Sequence, residues 1–361
     1  MNLLVLGEAR SLHTQRMVRP FADAGHRVIV AGFAPAPIPG VEGIALGEAG
    51  GGPPGIRFAR KALLLRRIVR ERRIDLVHAH YITVYGLLAL CAGRVPKVLT
   101  VHGSDVLLAR TKRWNRAVIR IVSRGVDRIT SPAPHVTEVL VALGAPPDRI
   151  DTFQYGVDLD RFHPAQDAPV SSDAPLRIVS TRRLAPLYRV DLLLMALSRL
   201  ACDASFEATI AGDGPEAEAL ERLAWALQLD REVRFLGRLD EDGVARALRS
   251  ADVYVTCASS DGASLGLLEA MATGLLPIAA DIPANRAWIR DGENGLLFRP
   301  DAPDALAEAL LRAAHDPSLR WKAREANPRI VEERASLKSG ITMILSIYNS
   351  LLEMRSQGGR A

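Results

Sequence analysis

At 361 residues the chain is too long for a single hydrophobic core, and 48% hydrophobic with 24% charged residues excludes a disordered or fibrous protein. No apolar run reaches the roughly 18 residues of a spanning helix. No basic n-region precedes the first apolar segment, and Cys91, Cys202 and Cys257 form neither a CxxC pair nor a disulfide framework, so a cytoplasmic chain without a signal peptide is expected. The net charge of +5 is unevenly spread. Residues 1–165 hold 23 Lys and Arg against 13 Asp and Glu, and the remainder 23 against 28, so an anionic surface or ligand is expected on the first half.

NLLVL (2–6) predicts a buried strand leading into GEARSLHT, followed by a helix from His13 to Ala24 that Gly25 ends. HRVIVAGF (26–33) is the next strand, residues 35–55 are a Pro- and Gly-rich loop, and a basic helix runs from Ile56 to Arg73. DLVHAH, KVLTVHG and DRITSP read as further strands, each followed by a helix. His78 and His80, in VHAHY, are taken to project from opposite faces of their strand and so not to ligate one metal together. GVDLDRFHPAQDAPVSSDAP (156–175) reads as a linker. The pattern then restarts with the strand LRIVSTRRL (176–184), a helix from Asp191 to Leu200, and the strands FEATIAGDG, VRFLGRL, VYVT, LPIAA and GLLF. Repeated βα units predict an α/β protein of two Rossmann-like, doubly wound parallel sheets facing a cleft. The domains are expected at 1–165 and 166–339, with an apolar helix at about 340–355 packing back on the first.

One stretch carries a chemical problem. SSDGASLGLLEAMATG (259–274) is an apolar helix after a Gly-rich loop, yet Asp261 and Glu269 stand eight positions apart in it. A carboxylate in an apolar helix is costly without a partner. With AGDGPEAEALERLA, VRFLGRL and ADVYVTCASSDGASLGLLEAMATGLLPIAADIP in this order, and YGVDLDRFHP before them, the chain resembles the retaining family 4 glycosyltransferases of the two-Rossmann GT-B fold.

That resemblance implies that Glu269 accepts hydrogen bonds from the two ribose hydroxyls of a nucleotide sugar, a pairing that suits a carboxylate's two oxygens. It implies a diphosphate held at a helix start by backbone N–H groups of Gly266, Leu267 and Leu268, with Gly262 and Gly266 letting backbone come close. Gly212 of AGDG, and Gly237 with Arg238 of VRFLGRL, fall among the donor-binding positions. Asp261 stands where the family has Glu and is expected on the donor sugar; the competing reading is that Asp261 and Ser264 only make a turn and cap the helix. In TRRLAPLYRVD, Arg183 matches the family's diphosphate-binding Arg, but Tyr188 replaces its Lys, leaving Arg182 or Arg189 to supply the missing charge. His102, in VHGSD, is expected near the sugar's reactive end, against the alternative of a core histidine satisfied by backbone. Gly7 keeps the family's donor-loop glycine, while Glu8 replaces the second; Arg10, Ser11 and His13 are assigned to the acceptor side.

The reaction so implied moves a sugar, from a UDP-sugar by the family's habit, to an acceptor hydroxyl of a glycan or glycolipid. Catalysis falls to His102, Asp261 and Arg183, with no cofactor and no metal: Asp158-Leu159-Asp160 and Asp240-Glu241-Asp242 read as turn and helix-start signals. The basic runs 57–73 and 110–124 interleave Arg with apolar residues, which suits an anionic membrane surface at the inner face, although only 5 of the 46 basic residues are Lys and Arg-rich helices are common here. Nucleic acid is not expected, for want of a recognition module. A catalytically weak nucleotide-binding homologue acting as a partner subunit is the alternative function; an epimerase on the same architecture is disfavoured by the Glu269 motif.

Overall fold

The computed structural model describes residues 1–47, 53–165 and 174–358; parts of the expected loop and linker, 48–52 and 166–173, lie outside the described residues. The chain forms two compact units, Met1–Tyr155 with Ser339–Ala361, and Gly156–Lys338.

The first unit holds seven parallel strands: β1 (Asn2–Leu6), β2 (Arg27–Gly32), β3 (Glu42–Ala45), β4 (Leu76–His80), β5 (Lys97–Thr100), β6 (Arg128–Ser131) and β7 (Ile150–Thr152). Their order is β3-β2-β1-β4-β5-β6-β7. The second unit holds six: β8 (Leu176–Ser180), β9 (Phe206–Ala211), β10 (Val233–Gly237), β11 (Val253–Thr256), β12 (Leu276–Ala280) and β13 (Leu296–Phe298). Their order is β10-β9-β8-β11-β12-β13, again all parallel. In each sheet the chain winds outward one way and then reverses, between β1 and β4 and between β8 and β11. Those two reversals are where loops diverge at the carboxyl ends of the strands and open a crevice.

The apolar strands follow from this winding. Leu4 and Leu6 pack with Leu65, Leu88 and Ile119 on one face of the first sheet. Leu3 and Val5 pack with Met17, Phe21 and Tyr348 on the other. Ile178 and Val179 divide in the same way between the two cores of the second unit. Both faces are covered, so β1 reads as one continuous apolar run. The helix Leu337–Gly358 sends Ile344, Ile347, Tyr348 and Leu351 into the core beside β1.

Two strands escaped the sequence reading. β3 is a short edge strand with only half-buried and exposed positions, inside a stretch dense in Pro and Gly. β7 is three residues long. The strand expected over 176–184 stops at Ser180, and a loop with a 3-10 turn at Pro186–Tyr188 follows instead.

The placement of His78 and His80 needs correction. Residues two apart in a strand share a face, and their ring centroids lie 5.2 Å apart. His78 is fully buried. Its Nδ1 meets the Tyr348 hydroxyl and its Nε2 lies 2.6 Å from Thr100 Oγ1, which also meets Thr130 and Tyr155. This polar chain ties the C-terminal helix to β4, β5 and β6.

Two tests follow from this packing. The helix Leu337–Gly358 passes so close to the chain at Tyr155 that a Cβ on Gly340 would sit 2.2 Å from the Tyr155 carbonyl oxygen. Gly340→Ala is expected to cost about 1–3 kcal/mol, and a thermal midpoint equal to wild type would contradict the close approach. Burial, with a smaller contribution from His102, pushes the His78 pKa down to about 3 from 6.5. The folded state therefore binds fewer protons than the unfolded one below pH 6.5, and the stability present above that pH is lost as pH falls toward 3. The slope from one such proton approaches about 1.4 kcal/mol per pH unit. Urea unfolding between pH 6.5 and 5 should show His78→Gln losing less stability per pH unit than wild type; equal slopes would refute the assignment.

Candidate active site

At the reversal of the second sheet, the loop after β8 meets the loop after β11 and the helix Leu265–Ala272. Ser264 caps that helix: its Oγ accepts from Leu267 N–H and its carbonyl from Leu268 N–H. Of the three backbone donors expected to be free for a ligand, two are thus engaged within the helix, and the open end narrows to Gly266 and the preceding Leu265. Gly266 is needed there, since a Cβ would lie 2.6 Å from the Tyr254 hydroxyl and 3.0 Å from Thr181 Oγ1. Glu269 lies one turn further in, at 6% exposure, among Leu267, Leu268, Ala270 and Met271.

The three arginines of the β8 loop have separate fates. Arg183 is exposed. Arg189 adopts the left-handed conformation, φ 49°, and its guanidinium is held by Asp191, at 3.0 Å, and by Asp301. Arg182 turns inward to 8% exposure. Its Nη2 donates to Asp261 Oδ2 at 2.6 Å and its Nη1 to Ser264 Oγ at 2.5 Å, and the guanidinium lies 4.4 Å from the centre of the Tyr188 ring. Burial pulls the Arg182 pKa down, but Asp261 together with Tyr254 and Tyr188 outweighs it and the net shift is upward. Arg182 therefore stays charged.

The glycine motifs brace this loop. Gly212 N–H donates to the Gly237 carbonyl at 2.8 Å, and Leu184 N–H to the Asp213 carbonyl at 2.8 Å. A Cβ on Gly212 would stand 2.2 Å from the Arg182 carbonyl oxygen. Arg238 is exposed and Gly262 buried. A cavity of about 350 Å³ lined by Leu176, Ser205, Glu207 and His315 lies at the other, amino-terminal end of β8 and β9, where open parallel sheets do not bind their ligands.

The first unit gathers a ring cluster at its own reversal. His102 lies two residues beyond β5, and its ring stands 4.8 Å from His13, 5.1 Å from His80 and 4.4 Å from Tyr81. His80 Nδ1 and His102 Nε2 are 3.0 Å apart. Burial first, then the neighbouring imidazoles, pushes the pKa of His102 and of His80 well below 6.5, so both stay neutral. Asp105 holds two loops together, accepting from His102 N–H and Ile82 N–H at 2.9 Å each. Tyr81, between them, has φ 69°, a strained conformation of the kind that collects at functional sites. Gly7 adjoins Thr14 and His80. Glu8 meets the Tyr85 hydroxyl and accepts from Ala34 N–H, which binds the first loop to the end of β2. Arg10 is exposed and Ser11 starts the helix Leu12–Asp23.

The structure thus brings Arg182, Asp261, Ser264 and Gly266 together on the second unit, and His13 with His102 on the first. Sequence reasoning missed His80, Asp105 and the Tyr188 ring as members of these clusters. The HAHY spacing placed His80 beside His102 in principle, because parallel neighbours end at one edge.

Comparisons with known proteins agree with this picture. The model of glycosyl transferases group 1 matches residues 165–329, and that of glycosyltransferase family 4 matches residues 11–161. A D-inositol 3-phosphate glycosyltransferase of Kribbella flavida is 30% identical over 295 residues, 73% of this chain and 68% of that one. A phosphatidyl-myo-inositol mannosyltransferase of Mycolicibacterium smegmatis is 30% identical over 338 residues, 85% of this chain and 81% of that one. Among solved structures, a glycosyltransferase from Rickettsia africae superposes with TM-score 0.82 at 19% identity, covering 97% of this chain and 98% of that one. Anabaena HepE, solved with UDP and glucose, gives 0.80 at 19%, covering 97% and 100%. With two Rossmann-like parallel sheets of the GT-B fold and relatives of this identity along most of its length, the chain belongs to glycosyltransferase family 4, enzymes that transfer a sugar from a nucleotide-sugar donor.

Proposed function

We propose that the chain is a retaining, metal-independent hexosyltransferase that takes its sugar from a UDP-sugar and passes it to a glycan or lipid-linked hydroxyl. The observation that carries this reading is the start of the helix Leu265–Ala272, where a buried guanidinium, open backbone N–H groups and, one turn on, a buried carboxylate lie together. A diphosphate is favoured at the first two and a ribose diol at the third. UDP is favoured because HepE was solved with it. Named acceptors among the relatives include a phosphatidylinositol lipid and a free inositol phosphate.

In the proposed reaction the bond from the anomeric carbon to the diphosphate oxygen breaks, and the acceptor oxygen bonds to the same face of the carbon. The acceptor's proton passes to the departing diphosphate oxygen. Arg182 and the helix end stabilise the charge that develops there, with Arg183 nearby in the same loop. On the first unit His102, kept neutral, is suited to a hydrogen bond with a substrate hydroxyl. The binding-only alternative draws on two substitutions, Tyr188 in the place of the family's Lys and Asp261 in the place of its Glu. Turnover decides between them.

UDP at 100 times its dissociation constant should stabilise the protein by about 2.7 kcal/mol, with GDP and ADP weaker and EDTA without effect. Glu269→Ala should weaken UDP binding by roughly tenfold or more. An α-linked donor should give an α-linked product by NMR, and absence of turnover with every sugar nucleotide would leave the binding-only homologue.

Membrane attachment belongs to the same proposal. The helix Arg113–Gly125 exposes Trp114 (77%) and Ile121 (56%) beside Arg113, Arg116, Arg120 and Arg124, and among the described residues no helix is long and apolar enough to cross a bilayer. The protein should sediment with phosphatidylglycerol vesicles at low salt and much less with phosphatidylcholine. Trp114→Ala should reduce that binding; equal binding to both vesicles would refute the surface.

A further inference from the structure

We infer that Asp261 is the built-in counter-ion of Arg182, that a donor diphosphate binds by taking Arg182 over from it, and that Tyr188 is the platform that keeps Arg182 in place. The inference rests on the donor site proposed above and changes what Asp261 does there.

Arg182 occupies an electrostatically awkward position. It is buried, and it lies at the start of a helix, whose positive end repels a cation. Asp261, at 2.6 Å, compensates for both. The compensation is incomplete: Nη1 bonds to Ser264 and Nη2 to Asp261, but Nε is buried with no hydrogen-bond partner among the described residues. A guanidinium offers five N–H donors in a fixed fork, and Nε is left over from the bonds to Ser264 and Asp261. A diphosphate carries more charge, suits the helix end that disfavours Arg182 alone, and presents several oxygens to the fork.

The neighbouring residues fit this division of labour. Arg189 is already held by Asp191 and Asp301, and Arg183 is exposed. A Lys at position 188 would bring a second cation against a buried Arg182. The Tyr188 ring, 4.4 Å beneath the guanidinium, attracts the same cation instead. The exchange of Lys for Tyr and the inward turn of Arg182 therefore form one substitution of function, with the positive charge carried from the end of β8.

The two roles of Asp261 predict different results. A competing counter-ion, once neutralised, lets go of Arg182, whereas an acceptor for the donor sugar's hydroxyls is indifferent to a nucleoside diphosphate that carries no donor sugar. Asp261→Asn keeps the shape and an acceptor oxygen. Isothermal titration of the full chain with UDP and with uridine should show Asp261→Asn binding UDP about tenfold more tightly than wild type and uridine equally. Tyr188→Leu, a second variant should the first misfold, should bind UDP several-fold more weakly with uridine unchanged. UDP affinity in Asp261→Asn equal to or weaker than wild type would overturn the counter-ion, and unchanged UDP affinity in Tyr188→Leu would overturn the platform, in each case with the donor site intact. Wild type that binds neither UDP, GDP nor ADP would overturn the donor site itself.

Discussion

A parallel strand cannot turn directly into its neighbour; the chain must cross over one face and re-enter at the same edge. Every feature of the candidate sites follows from that constraint. Because the thirteen strands of the described residues run parallel within their sheets, each sheet collects its outgoing loops along one edge. Where the winding reverses, after β1 and β4 and again after β8 and β11, those loops part. Arg182 and Asp261 leave neighbouring strands of the second sheet at that edge, 79 residues apart in sequence and 2.6 Å apart in space. His80 and His102 do the same in the first.

The two clusters solve opposite electrostatic problems. On the first unit burial, and then the neighbouring imidazoles, keep His78, His80 and His102 neutral, with the His80 ring in contact with both of the others. Such imidazoles position hydroxyls by hydrogen bonds alone. On the second unit the charge is retained and balanced, because a guanidinium does not lose its proton at any working pH. A carboxylate, a capping hydroxyl and an aromatic face share its neutralisation. Ser264 serves twice, accepting from Leu267 N–H and from Arg182, so the helix start and the cation are set by one side chain.

The strands with buried apolar runs were legible in the sequence because burial on both faces leaves no polar position to blur them. β3 and β7 were not, since an edge strand of a few half-exposed residues carries no such run. The helix Leu265–Ala272 and its buried Glu269 were legible as a contradiction, a charge in an apolar helix. The choice among Arg182, Arg183 and Arg189 was not. Adjacent arginines differ only in which way the loop turns, and that turn is set by the close backbone approach of Gly212 to Arg182, a tertiary fact. Glu8 was legible as a departure from the family, but its partners at Tyr85 and Ala34 belong to distant segments. His78 and His80 were misplaced by a misapplied strand period that the structure corrects.

The uneven charge of the chain also takes on a different meaning. An excess of basic residues in 1–165 suggested an anionic surface or ligand there; His80 and His102 at the end of that sheet are held neutral, and the buried Arg182 sits in the half with an excess of acids. The basic excess resides instead on exposed helix faces such as Arg113, Arg116, Arg120 and Arg124. Exposed charge acts at the range of the Debye length, about 8–10 Å in physiological salt, and attracts extended anionic surfaces. A single buried guanidinium, screened little by salt, acts on one ligand at contact distance. Net charge by domain therefore reports what the protein's surface is drawn to, while a buried arginine such as Arg182 is governed by the few groups in contact with it.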